Sequence, residues 1–180
     1  MVNDRNLFLG ANTADGFIGF YDKIVDMYDL KKLYILKGCP GGGKSTFIRK
    51  FAEAFENHPR EFLICSGDPN SLDGVIIPDL KLGIIDGTAP HTVDPKYPGV
   101  VDEIVNLGEF IDFKKVTAGR RTLKELYGKK AENYKKAYMH LAAARRIHRK
   151  IESLYKNAID FEGINLKLSQ IIMQTVDDNV

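Results

Sequence analysis

An apolar run at residues 33–36, a glycine-rich turn and an amphipathic segment at 44–55 follow one another without interruption. This juxtaposition constrains the fold more than any other feature of the chain. Leu33, Tyr34, Ile35 and Leu36 are apolar at every position, the habit of a parallel-sheet strand buried on both faces. Phe47, Ile48, Phe51, Ala52 and Phe55 then recur at helical spacing along one side. The turn between them, Gly38-Cys39-Pro40-Gly41-Gly42-Gly43-Lys44-Ser45-Thr46, fits the pattern G-x-x-x-x-G-K-[ST]. Glycines there let successive N–H groups turn inward on an anion, where a side chain would clash. The helix N-terminus adds its partial positive charge. In such a loop Lys44 reaches the β- and γ-phosphates, the Ser45 hydroxyl ligates Mg²⁺ and Thr46 lies next to the α-phosphate. Gly38, Pro40, Gly41, Gly42, Gly43, Lys44, Ser45 and Thr46 are therefore the candidate nucleotide-binding residues.

The rest of the first half alternates short apolar runs with turns, which indicates an α/β fold. Strands are expected at 62–65 and 82–85. A helix is expected at 16–27, with Phe17, Phe20, Tyr21 and Ile24 as its apolar side. A short one is expected at 98–107, entered through Pro98. From about Arg120 the strand signal ends and a long amphipathic helix begins, with a break expected at Gly128. Another helix is expected at 164–176. The chain divides into a nucleotide-binding core at 1–115 and a helical arm, insertion or hairpin at 116–180. With 180 residues, 44% of them hydrophobic, there is material for one ordinary core.

Gly38 to Thr46 resembles the Walker A motif of the P-loop NTPase superfamily. Ile84-Ile85-Asp86, an apolar strand ending in an acid, resembles Walker B. Together with the stretches around residues 7–23, 72–91 and 93–110, these motifs are similar to the N-terminal half of a bacterial ATPase family with two P-loop halves. The resemblance implies a three-layer core with a parallel sheet, ATP as substrate and Mg²⁺ as cofactor. It makes Ser45 and Asp86 the metal residues and Lys44 and Asp86 the catalytic ones. It departs from many ATPases at Gly87, where a second acid would stand.

His91, five residues after Asp86, is a third catalytic candidate, close enough in sequence to approach a γ-phosphate. Asp68 and Asp73 follow a strand C-terminus, where open α/β sheets bind ligands. They are candidates for metal or acceptor contacts, with turn formation as the plainer alternative. Arg120 and Arg121 are candidates for an arginine finger, and the stripe Tyr127, Tyr134, Tyr138 is expected to be packing.

Charge is segregated. Residues 120–150 carry eleven Lys or Arg against two Glu, a net of +9, while the remainder nets −7. Nucleic acid is a conceivable partner for this run, although a solvated or docked helix face is the commoner use. No stretch of about 18 apolar residues offers a membrane span. The N-terminal residues lack a signal-peptide pattern, so the expected compartment is cytoplasmic, with reduced thiols. The expected activity is Mg²⁺-dependent ATP hydrolysis coupled to a partner or a second P-loop half. The alternatives are a nucleotide or small-molecule kinase, and a nucleotide-gated module that binds a polyanion. Three recognisable strands also lead to the expectation of an incomplete sheet. The strand before the loop would then be paired on one side only, favouring self-association.

Overall fold

The computed structural model describes residues 3–177 and is a mixed α/β structure. Its elements in chain order are β1 (Arg5–Leu7), β2 (Gly10–Thr13), β3 (Gly16–Gly19), α1 (Ile24–Met27), β4 (Lys32–Lys37), α2 (Lys44–Glu53) and β5 (Glu61–Ile64). They continue with β6 (Leu72–Ile77), β7 (Leu82–Asp86), β8 (Asp102–Asn106), α3 (Phe113–Ala118), α4 (Arg120–Lys156) and α5 (Phe161–Asp177). Six strands form one sheet in the order β1-β5-β6-β7-β4-β8. All its pairings are parallel except the two made by β6.

The expected incomplete sheet is corrected by this order. β4 lies inside the sheet, hydrogen-bonded in parallel to β7 on one side and β8 on the other. Three strands of this sheet escaped the sequence reading: the short β1, β6 and β8. β6 reads as Leu-Asp-Gly-Val-Ile-Ile, with an acid and a glycine interrupting its apolar run. β8 replaces the helix expected at 98–107. Pro98 opens a turn instead: Gly99 adopts φ +76°, and the Val100 amide donates to the Tyr97 carbonyl. The buried Asp102 carboxylate then accepts from the Lys96 and Tyr97 amides, which fixes the entry into β8.

The helix expected at 16–27 is also corrected. Residues 10–19 form the antiparallel hairpin β2–β3, and only 24–27 are α-helical, after a 3-10 turn at Tyr21–Lys23. Phe17, Tyr21 and Ile24 are core-facing as the periodicity suggested, but from three different elements.

Side chains alternate across β4. Leu33 and Ile35 join Ile24, Leu63, Ile76 and Ile85 on one face, under the hairpin and α1. Leu36 joins Ile48, Ala52, Val75 and Ile84 on the other, under α2. Leu33, Ile35 and Leu36 are each buried to 1% exposure or less, and burial of each contributes about 1.5–3 kcal/mol. The layers are thus α2, sheet, and hairpin with α1. The second cover is mostly β-structure and loop rather than helix.

α4 is continuous through Gly128, without the expected break. The apolar stripe along it is largely exposed, where packing was expected. Leu141 and Ile151 remain 40% and 46% accessible. The helix touches the core in its middle: the Tyr138 hydroxyl donates to Asn12 Oδ1 at 3.0 Å, and Arg145 forms a two-pronged pair with Asp15 at 2.5 and 2.8 Å. That guanidinium holds the Asp15 carboxyl below the usual range. Among the described residues no helix is long and apolar enough to cross a membrane.

Candidate functional site

The site lies where the C-terminal ends of β4 and β7 meet the start of α2. The chain leaves β4 at Lys37 and re-enters regular structure at Lys44. Gly41 and Gly43 adopt φ +73° and +81°, a region that residues with side chains rarely adopt. The loop is cross-braced by the Gly42 amide, which donates to Cys39 O at 3.1 Å. Gly43 caps α2 without a side chain of its own, so no side chain competes for the first amides of the helix.

Lys44 is only 9% exposed. Its Nζ donates to Cys39 O at 3.0 Å and Gly38 O at 3.4 Å, and lies 3.5 Å from Asp86 Oδ2. A buried ammonium needs such partners. Asp86 ends β7, the strand next to β4, and its two oxygens are used differently. Oδ1 accepts from the Thr88 amide at 2.9 Å and the Thr88 hydroxyl at 2.6 Å. Oδ2 faces the Lys44 ammonium. Ser45 Oγ accepts from the Leu72 amide at 2.9 Å, tying the start of α2 to β6. Thr46 is exposed on the first turn.

His91 is buried and arrives beside the same carboxylate, with Nε2 3.9 Å from Asp86 Oδ2 and 3.6 Å from Asp73 Oδ1. Its ring stacks on Tyr21 with centroids 4.8 Å apart, and Nε2 makes no hydrogen bond among the described residues. Asp73 and Asp68 are not brought together. Asp68 accepts from the Asn70 amide in an exposed turn. Asp73 is 4% exposed and accepts from the Tyr21 hydroxyl at 2.8 Å. A register shift opposite Leu63 and Ile64 makes Asp73 the extra residue of a bulge. Bulges re-aim side chains beside functional sites. Burial, with the Asp73 charge second, pushes the Tyr21 phenol far above its ordinary range. Sequence gave no signal for the Tyr21–Asp73–His91 contact, which joins residues 18 to 70 positions apart.

The glycine after Asp86 has a steric reason. A Cβ on Gly87 would stand 2.4 Å from Ile35 Cγ2 and 3.3 Å from Val93 O. A side chain there would point into the core, not toward the loop. Gly87→Ala should therefore lower stability by about 1–3 kcal/mol through overpacking. Denaturant unfolding checks this, and an unchanged midpoint would show that the Ile35 contact does not decide the residue. Lys37 braces the same turn by donating to the carbonyls of Gly87 and Val93 at 2.8 and 2.6 Å.

A cavity of about 820 Å³ opens beside the loop. Gly38, Cys39 and Pro40 form one wall, Thr88 to Pro90 another, and α4 the third through Tyr127, Tyr134 and Tyr138. The tyrosine stripe thus faces a cavity, where packing was expected. Arg120 and Arg121 do not line this cavity; Arg121 pairs with Glu125 in solvent.

No protein-family model, curated protein or solved structure matches the chain. What the site can do follows from its own residues.

Proposed function

We propose that the chain binds Mg²⁺–ATP across Gly38 to Thr46 and transfers the terminal phosphoryl group to water, as a P-loop NTPase does. One observation carries this: a buried lysine at the mouth of a left-handed glycine loop, 3.5 Å from an acid ending the adjacent parallel strand. Phosphoryl transfer needs positioning and charge neutralisation more than covalent chemistry. The loop amides and Lys44 supply positive charge where the transition state accumulates negative charge.

The donor chemistry suits Mg²⁺, a hard ion that prefers oxygen. Ser45 Oγ and Asp86 Oδ2 would hold it. Among the described residues no group of three or more His, Cys, Asp or Glu side chains could hold a metal by itself. Mg²⁺ commonly takes only one or two protein ligands and fills its shell with phosphate oxygens and water. When bound it would neutralise the β- and γ-phosphate oxygens.

His91 Nε2 stands 3.6 Å from Asp73 and 3.9 Å from Asp86, beyond hydrogen-bond reach of either carboxylate. Coupling of nucleotide state to a partner or a second P-loop half belongs to the same proposal. The cavity beside Gly38 to Pro40 favours a second reading, a small-molecule kinase, because hydrolysis needs no space of that size. Incubation with Mg²⁺–ATP separates them. Phosphate released without added acceptor supports the hydrolase, and ADP formed only with an acceptor supports the kinase. Failure of ATP to bind at all would sink both.

A further inference from the structure

We propose that the cavity between the glycine loop and α4 is a second-ligand site for an aromatic anion of the nucleoside monophosphate class. The proposal rests on the phosphate-loop reading for its orientation but not for its chemistry. Lys44, the residue assigned to the outermost phosphate, points back to the carbonyls of Gly38 and Cys39. The 38–40 end of the loop is therefore the terminal-phosphate end, and Thr46 marks the opposite one. Gly38, Cys39 and Pro40 line the cavity and Thr46 does not. The cavity thus adjoins the last phosphate of a bound nucleotide, away from its base.

Its walls select the ligand. At about 820 Å³ it sits within the range of small-molecule pockets and far exceeds what one water or phosphate needs. Tyr127 and Tyr134 keep 53% and 37% of their surface accessible. The rings of Tyr134 and Tyr138 are 6.1 Å apart at 43°, tilted rather than stacked, and Lys130 Nζ lies over the Tyr134 ring at 6.0 Å from its centroid. Lys130 and Lys135 are the charged residues of the lining, and no Asp or Glu joins them. Accessible tyrosine faces accept a flat heterocycle. Lysines unopposed by acids accept a phosphate. Neighbouring alanines 131 and 142 leave the room between them. Tyr138, itself on the wall, bonds Asn12 through its hydroxyl, and Arg145, outside the lining, bonds Asp15, so this wall is held to the core.

The test is a calorimetric titration of adenosine 5′-monophosphate into protein saturated with Mg²⁺ and a non-hydrolysable ATP analogue. One monophosphate should bind per chain. Tyr134→Ala and Lys130→Ala should each weaken it by about tenfold or more, the size of one lost stacking contact. The affinity of the analogue should change less than about twofold, and inorganic phosphate should bind far more weakly than the monophosphate. Both residues lie on the exposed helix, and thermal unfolding of each variant checks that the fold survives. If the analogue binds and the monophosphate does not, or if both variants bind it as wild type does, the pocket proposal is overturned. Preferential capture of single-stranded RNA over the monophosphate overturns it too. If the analogue does not bind but monophosphate binding depends on Tyr134, the phosphate-loop reading fails and the pocket stands.

Discussion

Lys44→Ala is expected to abolish ATP turnover and to weaken triphosphate binding by about tenfold or more. In the proposed complex the side chain would supply the positive charge nearest the terminal phosphate, and among the described residues no other lysine donates to the Gly38 and Cys39 carbonyls. Its burial adds a consequence. The substitution removes two hydrogen bonds that brace the loop and leaves the 13%-exposed Asp86 without its cation. A stability loss of about 1–3 kcal/mol should accompany the loss of turnover. Asp86 keeps both bonds from Thr88, and the sheet below does not depend on the ammonium, so the domain should remain folded. Wild-type turnover in this variant would remove Gly38 to Thr46 from the site.

The second large effect is expected at Asp86. Asp86→Asn preserves size and lets Oδ1 go on accepting from Thr88, but it cancels the charge facing Lys44. Turnover should fall by roughly two orders of magnitude, and ATP affinity should become much less dependent on Mg²⁺. Titrating ATP with and without Mg²⁺ in both proteins reads this directly. An unchanged Mg²⁺ dependence would reduce Asp86 to a turn residue that merely anchors Thr88. Asp73 would not then inherit the role, because its carboxylate is buried and already accepts from Tyr21.

The loop, its flanking strand and helix, and Asp86 were legible because each rests on local order: an apolar run, glycines at set positions, helical periodicity. What stayed hidden depends on distant partners. β6 looks poor as a strand because Asp73 and Gly74 interrupt it, yet Gly74 is needed there. A Cβ would meet Ile84 O at 2.8 Å and Leu63 Cδ1 at 2.9 Å. The hairpin at 10–19 was misread because its aromatic residues happen to fall at helical spacing. The Pro98-Gly99 pair signalled a turn as readily as a helix start, and the buried Asp102 that decides between them carries no periodic signal. The tyrosines of α4 were visible as a stripe, but a stripe does not say whether it meets a core or a cavity.

α4 has 37 residues, so it is a rod of about 55 Å. Its tethers at Tyr138 and Arg145 both grip the β2–β3 hairpin, about two turns apart. A rod held so near its middle is a lever. Tyr127, on the wall of the cavity, stands about 20 Å to one side of that grip, and Lys156 about 20 Å to the other. A tilt of about 10° that narrows the cavity by some 3 Å must swing the far end outward by a similar distance. Under the proposed function, closure of the cavity on a ligand would be readable at the far end of the rod.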